Sequence, residues 1–479
     1  MGTARASAGG ADAGAAAPTG GPPDASMTKL ALTSLAGTSI EWFDFYLYGV
    51  ASALVFPALY FPKTLPPQVA LMASFSTFAV GFFARPVGAA LFGHYGDRAG
   101  RKAALVAALV LMGGATTLIG CLPSFATLGA LAPVLLVVLR FLQGLAIGGQ
   151  WGGAMLLALE NAPAARRGFY GSFAQAGAPA GVVAANLAFL LANALTSPAD
   201  FLGWGWRVPF LLSVGLLGLA LYVHRRVDET AAFRELAVAR EAERPAVAAG
   251  TAGPTAAAPT ARSPLLEVIA TDWRRILLAA GAYLAVQVSF YISITFVVAY
   301  GAGADGLGLS KGTMLTAVLI ASGVTAPALL LFGALSDRYG RRRIFVGGSV
   351  LMAAWAFAYF PLIDTRSPLL ITLACCGSQL INGMMYGPQA ALFGELFRTR
   401  VRYSGASLGY QLGAAVGGAL APLIATAIRA AYHSTFGISV YIAVACAVTF
   451  ASVLLLGPPA TAAAAGPGRR ARSPPAAAG

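Results

Sequence analysis

Charge is scarce in this sequence. Only 10% of its 479 residues are Asp, Glu, Lys or Arg, where a soluble domain carries about 25%, and that scarcity excludes an ordinary water-soluble globule. Cysteine is rarer still. Cys121, Cys375, Cys376 and Cys446 lie in or at the ends of apolar stretches, without zinc-site spacing or a basis for pairing, so they are expected as small apolar filler. His94, His224 and His433 are scattered and form no metal-binding motif. A Walker loop and a strand-linked dinucleotide fingerprint are both missing. The chain therefore reads as no enzyme, with no catalytic residue, no metal and no cofactor; ATP-driven work would need another subunit. Residues 1–26 are largely Ala, Gly and Pro with one Arg. They lack the apolar core of a signal peptide and the apolar surface needed to fold, and the tail after 457 has the same character.

What is abundant is apolar. Hydrophobic residues make up 58% of the chain and the mean hydropathy is +0.73. Charge-free runs cover 64–84, 103–139, 141–159, 168–199, 276–304, 312–336, 344–363, 367–394 and 403–428. A spanning helix needs about 20 apolar residues, so the longest runs have room for more than one crossing. Cys121-Leu-Pro123-Ser and the Gly301–Gly308 cluster read as the turns between them. Twelve helices are predicted, near 30–55, 68–93, 103–121, 129–158, 168–193, 207–225, 274–300, 312–335, 343–361, 368–392, 403–428 and 436–456. Barrel strands would leave shorter, alternating signals.

The net charge of +14 raises the question of nucleic acid, but its distribution answers no. With the N-terminus inside, most of the 32 Lys and Arg fall in cytoplasmic segments. Only Lys63, Arg207, Lys311, Arg366 and Arg429 lie in the opposite loops, and Arg85 and Arg140 lie inside spans. Positive residues gather on the cytoplasmic side of membrane proteins, so both termini are expected to be cytoplasmic and no nucleic-acid partner is expected.

The chain also repeats itself. Gly93-His-Tyr-Gly-Asp97-Arg98-Ala-Gly100-Arg101-Lys102 and Gly333-Ala-Leu-Ser-Asp337-Arg338-Tyr-Gly340-Arg341-Arg342 stand 240 residues apart in register. Glu160, Arg166, Arg167 and Gln175-Ala-Gly177 correspond likewise to Glu395, Arg400, Arg402 and Gln411-Leu-Gly413. Parallel repeats of six helices mark a two-halved transporter. A polar stretch divides them; its start, Arg225 to Leu236, has the makings of a surface amphipathic helix, and its Ala/Pro/Thr-rich part is expected to be flexible. The expected organisation is a disordered cytoplasmic tail (1–28), a six-helix bundle (29–225), a cytoplasmic linker (226–273), a second bundle (274–457) and a disordered tail (458–479). Glycines spaced by four, Gly144 with Gly148, Gly149 with Gly153 and Gly413 with Gly417, let helices approach closely.

Ionisable residues inside spans usually face a cavity and mark ion or substrate paths. Helix one carries Glu41, Asp44 and Tyr48 on one face. Burial favours a neutral carboxyl and a nearby cation favours its anion, so an Asp beside a movable Arg can load and release a proton. Asp44, with Glu41 behind it and Arg140 as its expected partner, is the candidate for proton coupling; a carboxylate that only pins two helices is the alternative. Arg85 is a candidate ligand for a substrate carboxylate, because a guanidinium fork matches a carboxylate bidentately; snorkelling to the interface is its alternative. Tyr48, Gln143, Gln150, Gln287, Tyr291, Asn382 and Tyr386 are further candidates for substrate contact, with Tyr283, Gln379 and Gln389 on the same polar stripes. Those stripes serve equally as interhelical hydrogen bonds. In the two charged segments the glycines are read as permitting a tight reversal. Asp97 and Asp337 are read as helix caps, and the arginines as held inside.

These residues resemble the major facilitator superfamily over about 29–457. The charged loop and Arg140-x-x-Gln143-Gly144 resemble its loop and helix-four motifs. More narrowly, five segments resemble the metabolite:proton symporters, which include shikimate, α-ketoglutarate, citrate and proline or betaine transporters. They are Glu41-Trp-Phe-Asp44-Phe-Tyr-Leu-Tyr48-Gly49, Ala84-Arg85-Pro86-Val-Gly88, Gly148-Gly149-Gln150-Trp151-Gly152-Gly153, Trp204-Gly-Trp206-Arg207-Val-Pro209-Phe210 and Val401-Arg402-Tyr403-Ser404-Gly405-Ala406. One departure is Gln150, where the family usually has Glu; any acidic role is lost there.

The resemblance implies an all-α membrane protein of twelve transmembrane helices in two pseudo-symmetric six-helix bundles. It implies a monomer in the cytoplasmic membrane that imports a small organic acid or zwitterion with protons by alternating access, driven by the proton gradient without a cofactor. A conformational latch is expected from Gly93, Asp97, Arg98, Gly100, Arg101 and Glu160 with Gly333, Asp337, Arg338, Gly340, Arg341 and Glu395. In it Asp97 would cap a helix start near Arg402–Gly405, and Asp337 one near Arg167–Gly171. Proton-driven efflux of an amphiphile is the competing function; Gly177-Ala-Pro179-Ala-Gly181 loosely resembles an antiporter motif but lacks its Gly-Pro pair. A nutrient sensor is the third, without the large cytoplasmic extension it usually carries.

Overall fold

The structure, a computed structural model, describes residues 24–99, 101–148, 159, 162–215, 218, 264–303, 306–398 and 402–456. The first half holds α1 (Asp24–Leu54), α2 (Pro67–Ala99), α3 (Arg101–Cys121), α4 (Leu131–Gly148), α5 (Arg167–Ala194) and α6, which opens with Arg207–Leu211. The second holds α7 (Pro264–Tyr291, continued by a π-helical turn Ile292–Phe296 and by Val297–Ala302), α8 (Lys311–Tyr339), α9 (Arg341–Asp364) and α10 (Pro368–Leu396). It ends with α11 (Arg402–Gly413, a π-helical turn Ala414–Ala419, then Ala421–Tyr432) and α12 (Phe436–Leu455). No strand occurs among the described residues. Nine of these helices are long and apolar enough to cross a bilayer, and Val106–Cys121 is a shorter apolar one. Outward stripes such as Phe83, Val87 and Leu91 are exposed at helical spacing, as expected where the outer solvent is hydrocarbon. The chain is an all-α, multi-pass membrane protein of two six-helix halves.

Glycine decides how the helices of the site meet. A methyl group on Gly144 or Gly148 would collide with the backbone carbonyls of Gly81 and Arg85, so α4 lies backbone against backbone on α2. That contact sets Arg140 beside Arg85. The same device joins α11 to α7, where Cβ atoms at Gly413 and Gly417 would meet Ala280 O at 2.8 Å and Gln287 Cβ at 2.9 Å. Between the halves, α5 and α8 touch at Gly168 and Gly333, where a Cβ on Gly333 would come 2.8 Å from the Gly168 carbonyl oxygen. Gln175 on α5 donates to Gln389 Oε1 on α10 at 2.6 Å.

Several expectations need correction. α1 begins at Asp24, inside the stretch expected as disordered. α7 begins at Pro264, ten residues early, with non-helical backbone at Asp272; there Asp272 pairs with Arg275 at 3.1 Å. The charged segments are mostly helix, not turn: Gly93 to Ala99 ends α2 and Gly333 to Tyr339 ends α8. The reversal in the second half falls on Gly340 alone, at φ 94°, where L side chains are disfavoured. Gly333 permits close approach to α5 instead of a turn.

Candidate functional site

Trp42, Phe45 and Tyr48 follow one another along a single face of α1, one turn apart, and two arginines sit among their rings. Arg85 from α2 lies 5.2 Å from the Trp42 centroid, 4.3 Å from Phe45 and 4.5 Å from Phe82. Arg140 from α4 lies 4.1 Å from Phe45, 4.3 Å from Tyr48 and 4.8 Å from Phe78. The two cations share Phe45 and otherwise touch different rings. Both are buried, at 1% and 0% exposure. Arg85 Nε and Nη2 and Arg140 Nη2 have no hydrogen-bond partner. Contacts with aromatic faces replace only part of the hydration a guanidinium loses. The site is thus two sealed cations with unused donors, which is what an anionic ligand would complete.

Asp44 is fully buried as well. Ser213 Oγ donates to its Oδ1 at 2.5 Å and its Oδ2 has no partner. No ion pair joins it to Arg140: among the described residues the ion pairs are Asp272–Arg275, Asp337–Arg341 and Glu395–Arg341. Arg140 instead donates from Nη1 to Gln143 Oε1 at 2.9 Å, and Gln143 Nε2 donates to Thr116 Oγ1 at 2.6 Å. The Thr116 hydroxyl also faces the Asp44 carboxyl. Sequence reading missed Thr116, Ser213 and Thr77, because a lone hydroxyl in an apolar span carries no signal until helix rotation is known.

The other candidates divide. Tyr48 spends its hydroxyl on Thr77 Oγ1 at 2.7 Å. Asn382 donates to Val286 O at 2.9 Å and Ser289 Oγ at 3.0 Å, joining α10 to α7; its Oδ1 is unpartnered. Tyr386 stacks on Tyr283 at 6.1 Å, and Tyr283 on Tyr410 at 4.6 Å. Tyr291 crosses the halves, 5.3 Å from Phe82 and 6.2 Å from Tyr46. Gln287 Nε2 and both polar atoms of Gln379 are buried without a partner. Gln150, Gly100 and Glu160 lie outside the described residues, as do the side chains of Glu41, Asp97, Arg98 and Arg101; Gly93 is described only as helical backbone.

At the arginine-rich end, Asp337 accepts the backbone N–H groups of Gly168 and Phe169 at 2.8 and 2.9 Å. Arg341 pairs with Asp337 at 3.4 Å and also with Glu395. Asp337, Gly340, Arg341 and Glu395 border a cavity of about 590 Å³. Arg338 lies 5.4 Å from the Tyr339 ring and lines the neighbouring pocket.

Residues 36–408 match the family model described as Major Facilitator Superfamily. The chain is 41% identical over 391 residues to the inner membrane metabolite transport protein YhjE of Escherichia coli, covering 80% of this chain and 84% of that one. It is 36% identical over 376 residues to the shikimate transporter of Escherichia coli, covering 78% and 82%. The partially occluded inward-open structure of the xylose transporter XylE from E. coli superposes with a TM-score of 0.66 over 90% of this chain and 97% of that one, at 18% identity. That last likeness concerns the fold alone.

Proposed function

The chain belongs to the Major Facilitator Superfamily as a multi-pass transporter of a small molecule, not an enzyme, and we propose that it is a proton-coupled symporter. It imports a small organic acid or zwitterion across the cytoplasmic membrane, with both termini inside. The observation that carries this reading is a pair of buried arginines and a buried Asp44 in the same half of the chain, none of which makes an ion pair among the described residues. A buried carboxyl without a counter-ion costs least as the neutral acid, so Asp44 holds the proton in this state. Arg85, with no protein acceptor for Nε or Nη2, receives the substrate carboxylate. Tyr291 and Gln287 approach from the second half.

Alternating access then needs each end to open in turn. The first bundle (29–225) rocks against the second (274–457), the proton gradient supplies the energy, and no cofactor takes part. Asp337, Arg341, Glu395 and Gly340, with the equivalent Asp97 group and Glu160, hold the cytoplasmic end shut. The test is uptake by purified protein in proteoliposomes under an inward proton gradient, with labelled shikimate, α-ketoglutarate, citrate, proline and glycine betaine. Accumulation of at least one, abolished by a protonophore, is expected. Gradient-driven extrusion of an amphiphilic dye with no uptake of these solutes would establish the efflux reading instead.

A further inference from the structure

The proton site and the arginine site are separate in space, yet a symporter must make each feel the other. Asp44 and Arg140 form no ion pair, and the hydrogen bonds between them run through two neutral side chains. Arg140 has donors only, so Gln143 must offer it the amide oxygen, as found at 2.9 Å. The amide nitrogen is then committed as a donor, and it points at Thr116 Oγ1, 2.6 Å away. Thr116 therefore accepts from Gln143 and keeps one proton to give. Two acceptors compete for it: the Met112 carbonyl oxygen at 2.9 Å and the Asp44 carboxyl.

We infer that Thr116 and Gln143 are the positioning residues through which the charge of Asp44 reaches Arg140. With Asp44 protonated, the Thr116 proton rests on Met112, and Arg140 stays in its ring cradle with Nη2 unpartnered, as in this structure. When Asp44 ionises, the Thr116 hydroxyl turns to the stronger acceptor, because hydrogen bonds to a charged oxygen are roughly twice as strong. The Thr116 oxygen then becomes a better acceptor for Gln143, and Gln143 in turn a better one for Arg140, since linked hydrogen bonds polarise one another. Arg140 is drawn toward the acid. The inference rests on the symport reading.

Charged and titratable groups on the surrounding elements leave little alternative. α2 offers Arg85, α4 offers Arg140, α1 itself offers Tyr46 and Tyr48, and the second half offers Tyr291. The Glu41 side chain lies outside the described residues. α3 and α6 present the hydroxyls Thr116 and Ser213, and Ser213 ties the other side of the carboxyl to α6 at 2.5 Å.

A double-mutant cycle read by infrared spectroscopy tests this without knowledge of the substrate. The full-length protein in nanodiscs is titrated, and the carboxyl carbonyl band lost in Asp44→Asn gives the proton affinity of Asp44. Arg140→Gln is expected to raise that affinity about tenfold in the wild-type background, within the range of coupling between residues of one network. In Thr116→Val and in Gln143→Leu the same change should have less than a threefold effect. Thr116→Ser, which keeps the hydroxyl, should restore the full effect. Gln143→Leu carries the cycle if Thr116→Val does not fold. An undiminished effect of Arg140→Gln in both backgrounds, or no effect in the wild type, overturns the link and leaves symport standing. A titration in which Asp44→Asn removes no band takes Asp44 out of coupling and overturns the link with it, and absence of protonophore-sensitive uptake overturns the symport reading itself.

Discussion

Asp337 near the end of α8 and Gly168 in the first turn of α5 belong to opposite halves of the chain, yet the Asp337 carboxylate accepts the Gly168 backbone N–H at 2.8 Å and the next one, of Phe169, at 2.9 Å. The first N–H groups of a helix have no partner inside it and carry a partial positive charge. One carboxylate therefore answers both needs, while Arg341 balances its charge and leans on Glu395. The relationship joins the two halves of the chain at the arginine-rich end.

Asp337→Asn keeps the size of the side chain and removes its charge. A cap of this kind is worth roughly 0.3–2 kcal/mol, so the population open at the arginine-rich end should rise about 2- to 30-fold. Labelling of single cysteines placed on the two faces measures it. Unchanged labelling with normal transport would make the motif a determinant of topology only. Asp97→Asn is expected to act in the same direction at the helix start near Arg402.

Asp44→Asn fixes the site in the form of a neutral acid. Uptake driven by a pH gradient should vanish, while exchange of labelled for unlabelled substrate across the membrane persists. Full accumulation in this variant would remove Asp44 from coupling.

Arg85→Lys retains the charge and loses the fork. Hydrogen bonds to charged groups contribute about 1.5–3 kcal/mol, so substrate affinity should fall roughly 10- to 100-fold, read by ligand-induced thermal stabilisation. An unaltered affinity would point to a neutral or cationic solute.

Gly144→Ala places a methyl group against the Gly81 carbonyl oxygen and forces α4 from α2. Overpacking costs about 1–3 kcal/mol. The purified protein should unfold several degrees earlier, and Arg140 should lose its register with Arg85. Wild-type stability together with wild-type transport would show that the two backbones can separate without consequence.

Composition, charge placement and the internal repeat by themselves determined the class of the protein. A chain with so little charge and so many long apolar runs has one stable solution in lipid, helices that satisfy their own backbone, and the repeat at 240 residues halves it. The sequence also singled out Asp44, Arg85 and Arg140, because an ionisable group at membrane depth is costly enough to stand out in a single line of text, and Asp337 through its place in the repeated charged segment. Helix ends were less legible. α8 continues through Asp337 to Tyr339 because charged side chains at a membrane surface do not stop a helix; only the left-handed backbone at Gly340 does.

The tertiary structure alone decided how those residues meet. Periodicity gives the face of a helix but not its rotation against a neighbour. It could not show that Arg140 turns to Gln143, that Ser213 holds Asp44, or that two arginines share the Phe45 ring. Those contacts follow from backbone approach at Gly81, Gly144 and Gly148, where a missing methyl group sets the distance between helices and so determines which side chains can touch.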